Sequence, residues 1–167
     1  MKKRILFLCT GNAARSQMAE GLMRAFHGDV VDVVSAGSRP AGWVHPLAIG
    51  ALAEIGIDIH DAQSKSAEQF LEQPFDVVVT VCDSAAQDCP LWPGAKRIEH
   101  WPIEDPTWGS GDGAERFRAT REELAQRIEE LMKSECRMFN VECSMLNGLR
   151  SSSHSFNIQH STFNICL

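Results

Sequence analysis

Ile5-Leu-Phe-Leu-Cys9-Thr-Gly-Asn-Ala-Ala-Arg15-Ser16 is the stretch of sequence that decides the fold of this chain. Its first four residues are all apolar, which predicts a strand covered on both faces, as in a parallel sheet. From Ser16 onward the apolar residues instead recur at helical spacing. These residues are Met18, Ala19, Leu22, Met23 and Phe26. The residues after Cys9 therefore form a loop that leads from a buried strand into the N-terminus of a helix.

This loop has the composition of an oxyanion-binding site. Gly11 and Asn12 tolerate positive φ angles, which lets successive backbone N–H groups turn inward. The guanidinium of Arg15 adds a planar fork that can bond two oxygens of one tetrahedral anion. We predict that the anion is bound by the consecutive residues Thr10, Gly11, Asn12, Ala13, Ala14, Arg15 and Ser16.

Cys9 lies at the base of the predicted anion site. Inward N–H groups, the helix N-terminus and the Arg15 guanidinium all favour a thiolate, so we expect Cys9 to ionise more readily than an ordinary thiol and to act as a nucleophile. The spacing Cys-x5-Arg alone also fits a buried strand-end cysteine beside a surface arginine. The preceding strand, the Gly-Asn pair and the helix start favour the nucleophile.

The rest of the 167-residue chain alternates between strand and helix patterns. Strands are predicted at 30–34, 75–81 and 96–100, and helices at 46–55, at 67–71 and from about residue 114. This alternation predicts an α/β fold with three layers, α/β/α, around a four-stranded parallel sheet. Ligands of such sheets bind beyond the carboxyl ends of the strands, which is where Cys9 and Cys82 lie.

Composition excludes several classes of function. The net charge is −6 and no basic cluster is present, which disfavours nucleic acid as a partner. No apolar run approaches the ~20 residues of a membrane span, and no signal-peptide core precedes the first strand. We therefore expect a cytoplasmic protein. A monomer is also expected. In that compartment the six cysteines are expected to be free, catalytic or metal-binding rather than a disulfide framework.

Cys82 and Cys89 form a second candidate constellation. If the segment between them is helical, the two residues lie ~10 Å apart along the axis, which a disulfide cannot span without unwinding. This geometry favours a redox switch over a structural bridge. The alternative is two unrelated cysteines, one ending a strand and the other preceding Pro90. No metal-type spacing of Cys or His accompanies them, so no metal site is predicted.

Asp105 is the third candidate residue. It lies in a turn at the open edge of the predicted sheet and is followed by Pro106. A carboxyl group there can donate a proton to a departing oxygen. An aspartate before proline in a turn also fits a purely structural role.

The segment from Cys9 to Glu20 resembles the phosphate-binding loop of the low-molecular-weight protein tyrosine phosphatase fold. Its continuation, Ser16-Gln-Met-Ala-Glu20, is most similar to the thioredoxin-coupled arsenate reductases built on that fold. The resemblance extends from about residue 3 to about residue 133. It implies a 1–133 domain of this family and leaves 134–167 as a C-terminal extension, which its Ser- and Asn-rich composition predicts to be disordered.

The resemblance also implies a reaction. Arsenate would bind in the loop, Cys9 would attack arsenic, and Asp105 would protonate the leaving oxygen. Cys82 and then Cys89 would resolve the intermediate, arsenite would be released, and thioredoxin would reduce the enzyme without any bound cofactor. The biological role implied is arsenic detoxification.

Two positions depart from the family pattern. Many relatives carry a second cysteine just before the arginine, where this chain has Ala14. In some relatives Asn12, Glu20 and a carboxylate near position 65 bind potassium behind the loop, whereas this chain has Lys65. The Lys65 ammonium is expected either to pair with Glu20 and replace the cation or to be merely solvated.

Asn12 and Ser16 are predicted to support the loop, the first by holding its shape and the second by bonding the Cys9 sulfur. A turn former and a helix cap are the plainer alternatives for these two residues.

Two alternative functions stay open at this point. A tyrosine phosphatase would use the same loop and Asp105, with water in place of Cys82. The chain contains no tyrosine, although phosphatases of this fold usually line the substrate cleft with them. The other alternative is an oxyanion sensor without catalysis, read by a partner through the segment from Cys82 to Cys89.

Overall fold

The structure, a computed structural model of the chain, describes residues 2–82 and 92–138. Residues 1–131 belong to one compact unit. The predicted switch segment after Cys82, including Cys89, lies outside the described residues, as does the extension from residue 139. The predicted boundary at 133 stays a prediction, as does the predicted disorder from residue 139 onward. For residues 134–138 the prediction of disorder is wrong, because they continue the C-terminal helix Gly113–Met138.

The described residues form a four-stranded parallel sheet with helices between its strands. The strands are β1 (Lys3–Cys9), β2 (Val31–Gly37), β3 (Phe75–Thr80) and β4 (Ala95–His100), in the order β2-β1-β3-β4. The helices are α1 (Arg15–His27), α2 (Pro46–Ala53) and α3 (Gly113–Met138), with a 3₁₀ turn at Ala67–Phe70. The predicted α/β class with a four-stranded parallel sheet is confirmed.

The central position of β1 follows from its apolar run. Ile5, Leu6, Phe7 and Leu8 are 0–1% exposed, and β2 and β3 pair with the two edges of this strand. The face of α1 that packs inward is also mostly as predicted, and Met18, Ala19, Leu22 and Met23 are fully buried.

Phe26 is the exception, because its side chain is 43% exposed although the spacing places it on the buried face of α1. The last turn of the helix is covered on a different side. There His27 is 2% exposed, and its Nε2 lies 3.3 Å from Glu129 Oε1 of α3. Helical periodicity cannot show which side a later helix covers.

The carboxyl ends of the strands bring the candidate residues to one edge. Backbone pairing continues beyond the strand ends, with Val81 N donating to Leu8 O at 2.8 Å and Trp101 N donating to Thr80 O at 2.8 Å. These bonds place Cys82 beside the end of β1. Within the described ranges, no helix has the length and apolar character needed to cross a bilayer.

Candidate active site

The loop after β1 is a cradle whose carbonyl groups point outward. The carbonyl oxygens of Cys9, Thr10, Gly11 and Ala13 accept hydrogen bonds from the backbone N–H groups of Ser38, Arg39, Ala41 and His45 at 3.1, 2.9, 2.8 and 2.7 Å. In a trans peptide the N–H group points opposite to the C=O group, so the N–H groups of these peptide units face away from the outward-bonded carbonyls. The backbone N–H of Asn12 donates to Cys9 Sγ at 3.0 Å. This is the geometry of an anion-binding nest.

Asn12 holds the loop to its surroundings. Its φ angle is 46°, and its side chain is fully buried. The amide Nδ2 donates to Ser16 Oγ at 2.9 Å and to Ser35 Oγ at 2.8 Å, while Oδ1 accepts from Lys65 N at 2.7 Å. One side chain thus connects the loop to α1, to β2 and to the segment before the 3₁₀ turn.

Gln17 also supports the cradle, although no sequence pattern predicted this role. It is 1% exposed, and its Nε2 donates to the backbone O and side-chain Oδ1 of Asn12 at 3.1 and 2.9 Å and to Gln63 O at 2.8 Å. A glutamine in the first turn of a helix has no distinctive spacing, so only the folded loop reveals these bonds.

The environment of the Cys9 thiol differs from the prediction. Burial raises the pKa of Cys9 above its ordinary value, and hydrogen bonds from Ser16 and from the Asn12 backbone only partly oppose this. The Ser16 hydroxyl lies 2.9 Å from Sγ, as predicted. The expectation that Cys9 ionises more readily than an ordinary thiol is wrong, because the residue is only 4% exposed and burial outweighs the hydrogen bonds to its sulfur.

Arg15 and Asp105 meet at the mouth of the cradle. Arg15 Nη2 lies 2.5 Å from Asp105 Oδ2, and Nη1 donates to Ile103 O at 2.8 Å. The other carboxylate oxygen of Asp105 accepts from Thr107 N at 3.0 Å and from Thr107 Oγ1 at 2.7 Å. The structure therefore brings the predicted proton donor into contact with the predicted anion fork.

Glu20 is a buried carboxylate behind the loop. Its Oε2 accepts from Ser35 Oγ at 2.5 Å and lies 3.2 Å from Lys65 Nζ, while Arg24 pairs with Oε1. Lys65 therefore contacts Glu20, which is one of the two arrangements expected from the sequence. Two positive side chains compensate the charge of a carboxylate that is 8% exposed.

Cys82 lies beside the cradle. It is 5% exposed, and its Sγ lies 3.4 Å from Thr10 Oγ1. Cys9 and Cys82 are both present as thiols. The end of β3 thus places a second buried thiol against a residue of the loop that begins at the first.

Comparison with known proteins identifies the family. Residues 4–138 match the model of the low molecular weight phosphotyrosine protein phosphatase family. The chain belongs to this family. The arsenate reductase of Halalkalibacterium halodurans is 47% identical over 131 residues, which are 77% of this chain and 94% of that protein. The family predicted from the Cys9 loop is confirmed.

Solved structures agree with this assignment to the low molecular weight phosphatase family. An arsenate reductase in the phosphate binding state has a TM-score of 0.69 and 34% identity, covering 79% of this chain and 98% of that one. The thioredoxin-dependent arsenate reductase of Corynebacterium glutamicum has a TM-score of 0.66 and 36% identity, covering 80% of this chain and 61% of that one.

His45 is a residue of this family member to which the sequence assigned no role. Its backbone N–H supports the cradle through Ala13, and its ring stacks on Phe117 with 4.6 Å between centroids. Burial lowers the pKa of the His45 ring, and the charge of Asp105 acts in the opposite direction. The signal available in the sequence was Pro46, since a residue before proline at a helix start is a cap position.

Proposed function

We propose that this member of the family reduces arsenate to arsenite, with Cys9 as nucleophile and Cys82 and then Cys89 as resolving thiols. The observation that carries the proposal is the position of Cys82, whose buried sulfur lies 3.4 Å from Thr10 Oγ1 in the anion cradle. A reaction in which a second thiol attacks Cys9 requires such a neighbour. The high identity to proteins named arsenate reductase supports the same assignment.

The first step is the binding of arsenate and the attack on it. The oxyanion accepts hydrogen bonds from the inward N–H groups and takes the Arg15 fork from Asp105. The Cys9 thiol passes its proton to the Asp105 carboxylate, the Cys9 sulfur bonds to arsenic, and Asp105 gives that proton to an arsenate hydroxyl, which leaves as water. The product is a Cys9–arsenate thioester in which arsenic is still As(V).

The second step transfers two electrons. The Cys82 thiolate attacks the Cys9 sulfur, a disulfide forms between them, and the sulfur–arsenic bond breaks with its electron pair left on arsenic. Arsenic leaves as arsenite, As(III). Cys89 then attacks the Cys82 sulfur, which frees Cys9 as a thiol and moves the disulfide to the pair 82 and 89.

We infer that thioredoxin reduces this last disulfide, so the catalyst needs no bound cofactor. A solved relative is named as thioredoxin-dependent, which supports this choice of reductant. The monomeric state and the cytoplasmic location expected from the sequence stay predictions.

The test is arsenite release by the full chain in the presence of thioredoxin, thioredoxin reductase and NADPH. We expect sustained turnover by the wild type and none by Cys9→Ser or Cys82→Ser. Cys89→Ser should release one equivalent of arsenite and accumulate a disulfide between Cys9 and Cys82, which mass spectrometry detects. Cys143→Ser removes a thiol outside the predicted relay and serves as the matched control. Thioredoxin-driven cycling by Cys89→Ser would refute the relay.

The family name favours one competing function, a phosphatase. The cradle and Asp105 suit phosphoryl transfer equally well, with water resolving the intermediate. Hydrolysis of p-nitrophenyl phosphate that survives Cys82→Ser, together with no arsenite release by the wild type, would support the phosphatase. Binding of arsenate without either reaction would support the oxyanion sensor.

A further inference from the structure

Arg116, near the start of α3, donates hydrogen bonds to three carbonyl groups of the loop that carries Asp105. Its Nε donates to Pro106 O at 3.0 Å, and its Nη1 donates to Ser110 O and Gly111 O at 3.0 Å each. Pro106 directly follows Asp105, and the other two acceptors lie at the far end of the same loop. One guanidinium therefore ties both ends of the loop to the helix.

The backbone of the loop is shaped to reach this guanidinium. Gly109 and Gly111 have φ angles of 116° and 90°, which residues with a side chain rarely adopt. The stem of Arg116 packs beside the first of these glycines, since a Cβ added at Gly109 would lie 3.4 Å from Arg116 Cδ. The loop backbone therefore surrounds the Arg116 side chain and contacts both its stem and its guanidinium.

At the other end of the same loop, hydrogen bonds from the loop backbone fix the position of Asp105. Thr107 N donates to its Oδ1 at 3.0 Å, and Trp108 N donates to its backbone O at 3.2 Å. The carboxylate is thus oriented by a turn that includes Pro106, and Arg116 binds the carbonyl oxygen of Pro106. The other carboxylate oxygen, Oδ2, lies 2.5 Å from Arg15 Nη2 at the mouth of the cradle.

We propose that Arg116 is a positioning residue for Asp105, which it keeps within reach of the anion cradle by fixing the loop 105–112 to α3. The inference rests on the proposed function in that Asp105 is taken as the proton donor. A lysine would not replace Arg116 fully, because its compact ammonium lacks the planar fork that reaches acceptors at both ends of the loop. Arg116 itself need not touch the substrate.

The kinetic test is a double-mutant cycle with Asp105→Asn, measured on arsenite release. We expect Arg116→Met to lower kcat by about 10- to 100-fold, as misplacement of a catalytic group does, with KM for arsenate little changed. Arg116→Lys should recover part of the loss. In the Asp105→Asn background, Arg116→Met should lower kcat no further.

Arg118→Met is the matched control. It removes a guanidinium from the same helix, one that binds Glu54 at 2.7 to 3.0 Å instead of the Asp105 loop. Its kcat should equal that of the wild type. The inference would be overturned if Arg116→Met lowered kcat equally in the wild type and in Asp105→Asn. It would also be overturned if Arg116→Met left the kcat of the otherwise wild-type protein unchanged.

Amide hydrogen exchange tests the same contact without relying on any reaction. The amides of Thr107 and Trp108 donate to Asp105, so their exchange reports its geometry directly. Arg116→Met should speed their exchange by about tenfold or more, whereas Arg118→Met should not. If the wild type fails to reduce arsenate, the proposed function falls while this measurement still decides about Arg116. Unchanged exchange would then overturn the inference.

Discussion

Replacing Gly37 with alanine should damage the anion cradle directly. Gly37 ends β2 beside Cys9, and its N–H donates to Lys65 O at 2.9 Å. A Cβ at this position would lie 2.6 Å from Thr10 O and 2.9 Å from Asn12 N. Both atoms belong to the backbone of the cradle, so neither can move aside as the end of a flexible side chain could.

The expected losses of stability and of activity follow from these distances. Carbon makes favourable contacts at about 3.5 Å, so Thr10 O would have to move ~1 Å away from the added Cβ. Overpacking of this kind costs about 1–3 kcal/mol, and weakening the bond from Arg39 N to Thr10 O adds about 1 kcal/mol. We expect the free energy of unfolding to fall by about 2–4 kcal/mol. A shift of ~1 Å in the cradle should also lower kcat/KM by about 100-fold.

Urea denaturation and arsenite release measure the two effects separately. Gly50→Ala is the matched control, because a Cβ there meets nothing within 4 Å and the residue lies inside α2. That change should raise the free energy of unfolding by about 0.5–1 kcal/mol, as expected for glycine to alanine in a helix, without affecting turnover. A Gly37→Ala protein with the wild-type urea midpoint and the wild-type kcat/KM would refute the reasoning.

Four further outcomes follow from the site and its sheet. Alkylation of Cys9 by iodoacetamide should have its midpoint at a higher pH than an ordinary thiol, because burial raises its pKa, and Ser16→Ala should raise the midpoint further, since the hydroxyl stabilises the thiolate. Potassium should not raise the melting temperature over sodium in the wild type but should do so in Lys65→Asp. Asp76→Asn should cost about 1 kcal/mol at pH 7 and progressively less as the pH falls through the lowered pKa of this carboxyl, measured by urea denaturation. Asp105→Asn should bind phosphate more tightly yet reduce arsenate more slowly, as titration calorimetry and arsenite release would show.

The fold could be predicted largely from local patterns. The apolar run at the start of β1 marked a central strand, and the 3.6-residue period located α1 and α3. Boundaries were less accurate. Strand β2 extends to Gly37, beyond the predicted end at residue 34, and α2 ends at Ala53, before the predicted 55. Where an element ends depends on what packs against it, and that information lies elsewhere in the chain.

The site was predictable where one local motif encodes it and not where a distant contact does. The loop from Cys9 to Ser16 carries its anion-binding shape in its own residues. The engagement of Arg15 by Asp105, in contrast, joins residues 90 positions apart. Burial, which also depends on distant parts of the chain, is why the thiol prediction for Cys9 was wrong. The bonds made by Arg116 depend on a loop conformation that no spacing displays.

The charges at the mouth of the cradle determine the sequence of events in the proposed reaction. Arg15 is bound to Asp105, so a tetrahedral oxyanion has to take the guanidinium from the carboxylate before the planar fork can serve it. That exchange moves positive charge toward the cradle, where it favours the thiolate of a cysteine that burial otherwise keeps protonated. The same exchange leaves the Asp105 carboxylate without its guanidinium partner, so that its oxygens are available to relay a proton to the leaving oxygen. Activation of the nucleophile and of the proton donor would then both depend on the arrival of the anion, and a buried thiol with a raised pKa is protected from oxidation until that moment.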